Sequence, residues 1–316
     1  MSKRSNFSFF NGTAPEEDFF HLFHVPQPQS HTRLQSVFSL ITLTSVFIGL
    51  VMAAILYFSF LLLGISSSTL LLFATFFLAI SVYSLNKVTD VKEDIVNLPD
   101  RAQFVKKNRT YLLFASLEAI NIAVVLAFLS NPAATFVILF PFYVGVFYSL
   151  GVRKLRIKNV LVFKNVMAAG TCTVAAVLLP LAIHVDVPFI ILMVAYFIFV
   201  KLFINSVLFD VRDIDGDKKA GVRTIPVYLG RNKTRNLLLL LNSTLIVWVA
   251  LSLVQGLFYP YLFVLILSVV YGYWYILRFT RASAQTSRLF DLFVDGEWVI
   301  LALYATPFAL GWLHLF

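Results

Sequence analysis

Residues 189–217 read FIILMVAYFIFVKLFINSVLFDVRDIDGD, an apolar run that ends in a cluster of aspartates. The hydrocarbon core of a bilayer is about 30 Å thick, so a helix needs roughly 20 mostly apolar residues to cross it. Because backbone polar groups find no water there, only helices and closed barrels cross membranes. The stretch therefore predicts a transmembrane helix with an acidic cluster at one end.

Eight more runs of this kind are distributed along the chain. The 316 residues are 59% hydrophobic and 13% charged, with a mean hydropathy of +0.86, which is far more apolar than a soluble domain. We predict an all-α, polytopic membrane protein with nine transmembrane helices in residues 37–316, preceded by a cytoplasmic or interfacial segment, residues 1–36. The predicted spans are 37–57, 69–85, 111–129, 133–150, 160–183, 189–209, 237–254, 261–277 and 298–315.

The connections between these spans alternate sharply in charge. Nearly all Lys and Arg residues fall in the N-terminal segment and in loops 87–109, 153–158, 212–235 and 278–288. Only Lys164 and Lys201 lie elsewhere. By the positive-inside rule the charged side is cytoplasmic, which places the N-terminus inside.

The basic character of the chain does not indicate nucleic-acid binding. The formal charge is +9 and the pI is near 9.6, but the basic residues sit in short loops between apolar runs, where membrane topology explains them. The single cysteine, Cys172, excludes an intrachain disulfide. We therefore expect a lipid bilayer, and no nucleic acid, as the partner of this surface.

The first acidic cluster follows the second predicted span. Asn86, Asp90 and Asp94 recur every four residues and so share one face of a helix. Carboxylates stacked one turn apart repel each other, so the ladder needs a compensating cation, and a divalent metal is the simplest candidate. Charges that are merely solvated in a loop would explain such a cluster when it is taken alone.

The second acidic cluster, Asp210, Asp213, Asp215 and Asp217, ends the sixth predicted span. Because the second and sixth spans both run from outside to inside, their acidic ends lie at the same membrane face. The two clusters can therefore converge on one site. Two clusters in equivalent positions are much harder to explain as ordinary loop charges than one is.

Paired acidic clusters of this kind predict a magnesium and diphosphate site. Mg²⁺ takes oxygen ligands and typically uses one or two carboxylates together with substrate phosphates. Basic residues that could neutralise a diphosphate lie nearby in the sequence. They are Lys87, Arg101, Arg153, Lys154, Lys158, Arg212 and Arg223.

Some polar residues lie inside predicted spans, where charges are costly and usually face the bundle interior. Lys201 is either a partner of the acidic site or of an acceptor, or one half of a structural pair. Asn205, one turn further on, is expected to line the cavity. Glu118 is either an acceptor-side base or a structural hydrogen-bond partner.

The chain resembles the UbiA superfamily of intramembrane aromatic and lipid prenyltransferases over nearly its whole length. Two signatures of that superfamily are matched, the first by Asn86, Asp90 and Asp94 and the second by Asp210, Asp213 and Asp217. The stretch DIDGDKKAGVRTIP, which starts at Asp213, resembles the branch that contains homogentisate, chlorophyll and archaeal ether-lipid prenyltransferases more than the 4-hydroxybenzoate branch.

The resemblance implies a prenyltransferase that moves a polyprenyl group, for example from geranylgeranyl diphosphate, to a hydrophobic aromatic or lipid acceptor and releases pyrophosphate. It implies Mg²⁺ as the cofactor, acting as a Lewis acid near the cytoplasmic side of the bilayer. The implied metal ligands are Asp90, Asp94, Asp210, Asp213 and Asp217, with Asn86 among the diphosphate-binding residues.

The resemblance also implies a role for Tyr148, since family members carry a Tyr followed four residues later by a Lys that helps the diphosphate depart. Here Arg153 and Lys154 follow Tyr148 by five and six positions, so which of them contacts phosphate is open. Arg33 lacks the Pro that follows the corresponding Arg in many members. Acceptor recognition near the first helix is therefore expected to differ.

Two other functions compete with prenyl transfer. A terpene cyclase or carotenoid-elongating enzyme of the same fold would capture the prenyl cation within the substrate or with an alkene. A cation-coupled transporter would instead need charges at the midplane and interrupted helices. The acids of this chain cluster at one face beside basic residues, which favours the enzyme.

Overall fold

The computed structural model of the chain describes residues 41, 43–155, 162–182, 188–281 and 290–312. The predicted N-terminal segment lies outside this part. In chain order the α-helices are α1 (Val46–Leu63), α2 (Thr69–Thr89), α3 (Val91–Asn97), α4 (Pro99–Lys107), α5 (Arg109–Ser130), α6 (Pro132–Leu155), α7 (Phe163–Leu181), α8 (Pro188–Arg212), α9 (Ile214–Ala220), α10 (Ile225–Leu229), α11 (Arg231–Val254), α12 (Leu262–Phe279) and α13 (Glu297–Ala309).

Among the described residues, eight helical segments are long and apolar enough to cross a membrane. They comprise α1, α2, α5, α7, α8 and α11, together with α12 and α13 and the single turn that precedes each of these two. The apolar part of α6, Pro132–Phe147, is shorter. The prediction of an all-α, polytopic membrane protein is thus confirmed, whereas nine spans and a cytoplasmic N-terminus stay predictions.

The first span ends later than the predicted residue 57. Helix α1 continues beyond residue 57 to Leu63, because Gly64 adopts a φ of 67° and donates its N–H to carbonyls of the preceding turn. Glycine takes up this left-handed conformation without a steric penalty, which makes it a common helix terminator. The predicted start at residue 37 lies outside the described residues.

The last span starts earlier than predicted, covering Asp291–Ala309 rather than 298–315. It opens with one turn of π-helix, Asp291–Asp295, and continues through Glu297. The prediction left these acids outside because a carboxylate within a membrane is costly. The fold accommodates them on the inner face of the bundle, where Lys201 pairs with Glu297 at 2.6 Å.

The long helices form a closed ring. Each of α1, α2, α5, α6, α7, α8, α11, α12 and α13 packs against the next one in the chain, and α13 packs back against α1. Helix α1 also contacts α7 and α8 across the ring. Aromatic side chains pack together in the interior. The ring of Phe197 lies 5.1 Å from that of Trp248 and 6.4 Å from that of Trp298.

The chain repeats one local arrangement after α2 and after α8. In each case two short helices follow the long one, α3 and α4 in the first half and α9 and α10 in the second. Both acidic clusters lie at these junctions. Since α3 and α9 also pack against each other, the fold brings the two junctions to the same end of the bundle.

Candidate active site

The two acidic clusters approach each other through the contact between α3 and α9. Asp90 is the residue between α2 and α3, and Asp213 is the residue between α8 and α9. The approach depends on Gly216, because a Cβ atom added there would lie 1.9 Å from Oδ1 of Asn97. A larger residue at this position would force the Asn97 side chain or one of the two helices to move.

Both acidic clusters line one cavity of about 330 Å³. The first cluster contributes Asn86, Asp90 and Asp94, and the second contributes Asp213 and Asp217. Away from these acids the wall is mostly apolar, with Leu78, Ala79 and Val82 of α2, Val144 of α6 and Met167 of α7. We call this the small cavity, and it joins a polar end to an apolar end.

A second cavity of about 460 Å³ lies beside the first, and we call it the large cavity. The two have residues of their walls in common, including Tyr83, Asn97, Arg101, Lys164 and Asp213. The large cavity extends along α1 and α8 to the start of the last span. A molecule in the large cavity would therefore lie next to one in the small cavity.

Basic side chains hold several of the carboxylates. Arg101 donates two hydrogen bonds to Asp94, one from Nε to Oδ2 at 2.7 Å and one from Nη2 to Oδ1. Arg212 likewise donates two hydrogen bonds to Asp213, from Nε to Oδ1 at 2.8 Å and from Nη2 to Oδ2 at 3.0 Å. Such bidentate pairs are the geometry in which arginine also binds phosphate. Arg101 lines both cavities and Arg212 lines the large one.

Asp210 has a different environment from the other acids of its cluster. It is 1% exposed, and its two oxygens accept hydrogen bonds from Lys164 Nζ at 2.7 Å and from Asn165 Nδ2 at 2.8 Å. It lines the large cavity rather than the small one. Asp210 thus links α7 to α8, and its role as a metal ligand stays a prediction.

The donor set of the small cavity fits Mg²⁺ that is shared with a bound diphosphate. Within the described residues, three or more His, Cys, Asp or Glu side chains do not come together as a ready metal site. Mg²⁺, however, typically takes one or two carboxylates and completes its shell with water and substrate phosphates. Asp217 Oδ2 is buried without a hydrogen-bond partner, as expected of an oxygen that awaits a cation.

The protonation of two acids reflects their confinement. Burial raises the pKa of Asp94 above its usual range, against the hydrogen bond and charge of Arg101, which lower it. Burial likewise raises the pKa of Asp217 to about 6, with the charge of Lys164 opposing it. A divalent cation in the cavity would favour the ionised form of both carboxylates.

The family model for UbiA prenyltransferases matches residues 42–296, which contain both acidic clusters and the start of the last span. The chain belongs to the UbiA prenyltransferase family. It is therefore an integral, multi-pass membrane enzyme of the prenyltransferase class. No curated protein sequence matches the chain.

Solved structures of UbiA homologues share the fold at low identity. A homologue from Archaeoglobus fulgidus bound to GPP and Mg²⁺ matches with a TM-score of 0.64 and 15% identity, over 85% of this chain and 98% of that chain. The apo homologue from Aeropyrum pernix K1 matches with a TM-score of 0.64 and 14% identity, over 83% and 98%. A digeranylgeranylglyceryl phosphate synthase matches with a TM-score of 0.57 and 17% identity, over 88% and 99%.

Only some of the predicted phosphate-binding residues line a cavity together with the UbiA signature residues. Arg101 lines both cavities, whereas Arg212 lines the large one. Lys87 also lines the large cavity and donates to Leu43 O at 3.0 Å and to Ser45 Oγ at 2.9 Å. Arg223 is exposed and lines neither cavity. The side chains of Tyr148, Arg153, Lys154 and Lys158 lie outside the described part of the structure.

The intramembrane residues of this UbiA enzyme are placed unequally. Asn205 lines the large cavity, as expected. Lys201 lines neither cavity and is fully buried against Glu297, so the structural-pair alternative describes its position. Its partner could not be recognised because the prediction placed Glu297 outside the membrane. Glu118 is exposed on α5 and lines neither cavity, and both alternatives for its role stay predictions.

Three residues that line the cavities were not among the predicted site residues. Asp291 and Asp295 line the large cavity, and Lys164 lines both cavities. Asp291 and Asp295 are four residues apart, the same spacing as Asp90 and Asp94, and this repeat was visible in the sequence. The repeat precedes the predicted start of the last span at residue 298, and it does not follow a predicted span as directly as the two signature clusters follow the second and sixth.

Proposed function

We propose that this chain transfers a polyprenyl group from a polyprenyl diphosphate to an aromatic or lipid acceptor and releases pyrophosphate, with Mg²⁺ as the cofactor. The observation that carries the proposal is that acids from both halves of the chain line the small cavity, which continues into an apolar end. A diphosphate requires the acidic end of this cavity, and a prenyl chain requires the apolar end. We further propose that this polar end faces the cytoplasm.

The proposed ligands of the magnesium diphosphate are Asp90 and Asp94 from the first cluster and Asp213 and Asp217 from the second. Each cluster supplies too few carboxylates to hold the ion without the substrate, which would make binding of metal and diphosphate mutually dependent. When bound, Mg²⁺ supplies a Lewis acid that withdraws charge from the phosphoryl oxygens.

Arg101 and Arg212 would hold the departing pyrophosphate. In the described structure they neutralise Asp94 and Asp213, and both carboxylates would turn to the cation once substrate is bound. The guanidinium groups would then be released to donate to phosphate oxygens, which they bind in the same two-pronged geometry. This exchange keeps the buried charges paired both with and without substrate.

The apolar wall of the small cavity would hold the prenyl chain away from water. Leu78, Val82 and Val144 offer no hydrogen-bond acceptor that could quench an allylic cation. Exclusion of water matters because water would convert the cation into a free alcohol. The GPP bound by the Archaeoglobus fulgidus homologue is a ligand of the same chemical class.

The proposal is tested with purified protein in detergent, geranylgeranyl diphosphate, Mg²⁺ and a panel of aromatic and lipid acceptors. Pyrophosphate and prenylated products are both recorded. Asp90→Asn and Asp213→Asn should each abolish turnover. The matched control is Asp215→Asn, since Asp215 belongs to the same acidic cluster but is exposed and lines neither cavity.

Full turnover in Asp90→Asn or Asp213→Asn would refute the assignment of the site. Release of pyrophosphate with a cyclised or elongated isoprenoid, and no acceptor adduct, would instead identify the cyclase or elongase alternative. The unfolding temperature of each variant is measured alongside turnover, because Asp213→Asn also removes the charge that pairs with Arg212.

A further inference from the structure

A third pair of acids, outside both signature clusters in the sequence, stands at the start of the last span. Asp291 and Asp295 bracket the single turn of π-helix, and both line the large cavity. Turns of this type inside helices are rare and frequently mark functional sites. Two carboxylates at the edge of a membrane span are also costly unless a ligand or a partner compensates them.

Asn205 supplies an independent sign that a ligand belongs there. Its side chain is 2% exposed and lines the large cavity. Its Nδ2 donates to the carbonyl of Val294, within the same π-helical turn, at 3.2 Å. Its Oδ1 is buried without a hydrogen-bond partner. A buried acceptor of this kind loses free energy until a donor reaches it.

Arg212 lies 3.8 Å from Asp291 but makes its two short hydrogen bonds to Asp213. The other cations that line the large cavity bind elsewhere: Arg101 binds Asp94, Lys164 binds Asp210, and Lys87 donates to Leu43 O and Ser45 Oγ. Lys201, one turn before Asn205 on α8, is bound to Glu297. Among the described residues, Asp295 forms no ion pair with a Lys or Arg side chain. This end of the large cavity therefore presents the carboxyl groups of Asp291 and Asp295 and the Oδ1 atom of Asn205 as hydrogen-bond acceptors.

The position of the group suits the second substrate. Asn205 lies eight residues before Asp213 on one helical course, which is about 12 Å along the axis at 1.5 Å per residue. The large cavity is lined by both residues, and Arg212, which binds Asp213, lies 3.8 Å from Asp291. A ligand anchored at Asn205 and Asp295 would thus extend towards the diphosphate site.

We infer that Asp291, Asp295 and Asn205 form the acceptor subsite and select a neutral acceptor that carries a hydroxyl group, an alcohol or a phenol, over an anionic one. The inference rests on the proposed function. A hydroxyl proton can be donated to the carboxylates or to Asn205 Oδ1, whereas a carboxylate or phosphate in the same place would be repelled. A hydroxyl whose proton is held by a carboxylate is also a better nucleophile.

Matched ligand pairs test this selection directly. The full-length protein in lipid nanodiscs is loaded with Mg²⁺ and geranylgeranyl thiolodiphosphate, which is resistant to ionisation. Binding of 4-hydroxybenzyl alcohol is compared with 4-hydroxybenzoate, and monooleoylglycerol with its phosphate, by equilibrium dialysis of radiolabelled ligand. In at least one pair the neutral member should bind at least about tenfold tighter, since the two members share a hydroxyl group and only the anionic one is repelled by the carboxylates.

Asp295→Asn should reduce that ratio by about tenfold, because it weakens the hydrogen bond to the neutral ligand and removes the repulsion of the anion. Asp291→Asn should act in the same direction. Asn205→Leu provides a second route if an acidic variant fails to fold, and it should weaken the neutral ligand alone. Asp215→Asn should leave the ratio unchanged.

The outcomes separate this inference from the proposed function. If the parent protein does not bind the thiolodiphosphate in a Mg²⁺-dependent manner, the proposed function fails. If it does bind the thiolodiphosphate, three results overturn the acceptor subsite alone: a tighter anionic ligand, a ratio that Asp295→Asn leaves unchanged, or no binding by either pair. A change in the Mg²⁺ concentration needed by Asp295→Asn would reassign the acids to a cation site and also overturn the inference.

Discussion

Lys201 and Glu297 form an ion pair inside the helix bundle, and separating them should destabilise the protein by an amount that a double-mutant cycle can measure. The two side chains are 0% and 2% exposed, with Nζ 2.6 Å from Oε1. Lys201 also donates to the carbonyl of Ser268 at 3.1 Å and lies 4.9 Å from the centre of the Tyr275 ring. Ser268 Oγ donates to the same Glu297 oxygen at 2.7 Å.

The magnitude follows from what each substitution leaves behind. Lys201→Met leaves Glu297 with only the Ser268 hydroxyl, and Glu297→Met leaves Lys201 with only a carbonyl and an aromatic face. Removing one partner of a buried pair typically costs about 3–5 kcal/mol, whereas replacing both by apolar residues of similar volume is close to neutral. We therefore expect each single variant to lose about 3 kcal/mol and the double variant to lose about 1 kcal/mol.

Unfolding of the four proteins by sodium dodecyl sulfate in mixed micelles gives the four free energies of the cycle. The expected coupling energy is about 5 kcal/mol, far above the roughly 0.5 kcal/mol expected of independent sites. If the losses of the single variants simply add up in the double variant, the pair is not coupled and the reasoning is wrong. Tyr196→Phe serves as a control, because its hydroxyl bonds to Thr244 at an exposed position.

Three further outcomes can be measured. Gly216→Ala should lower Mg²⁺-dependent binding of geranylgeranyl diphosphate at least tenfold and destabilise the protein by about 1–3 kcal/mol, because the new methyl group would collide with Asn97. Gly170→Ala is the control and should be tolerated in both assays, because its Cβ would meet only an atom 4.0 Å away. Because burial raises the pKa of Asp217 from 3.8 to about 6, the folded state holds that proton more tightly than the unfolded chain. Without Mg²⁺ the free energy of unfolding should fall by up to about 3 kcal/mol as pH rises from about 4 to above 6. Asp217→Asn should remove this pH dependence in denaturation curves, and an unchanged curve would contradict it. Chelation by EDTA should abolish the rise in melting temperature caused by geranylgeranyl diphosphate, and a rise that persists in EDTA would show binding without metal.

Much of the fold could be predicted because lipid imposes few solutions on an apolar chain. The runs that became α2, α5 and α8 were each found within a few residues of their observed limits. The end of α1 was missed because Gly64 stops a helix by its backbone conformation, which hydropathy does not measure. The start of the last span was missed because Asp291, Asp295 and Glu297 looked too polar for a membrane.

The candidate site divides in the same way. Asp90, Asp94, Asp213 and Asp217 follow regular spacing at equivalent helix ends, so their meeting at one cavity could be predicted from periodicity and topology. The roles of basic residues could not, because a loop charge gains its partner only from tertiary contacts. Lys164 holds Asp210 from a neighbouring helix, and nothing in the local sequence of either residue announces this.

The closure of the helix ring by α13 against α1 has a consequence for the order in which the enzyme matures. Helices enter a membrane in the order of synthesis, so the small cavity, built by α1 to α9, can form while the ribosome still makes the remaining helices. The wall that holds Asp291 and Asp295 arrives last. In a nascent chain the proposed site for the prenyl donor could thus form before the proposed acceptor subsite.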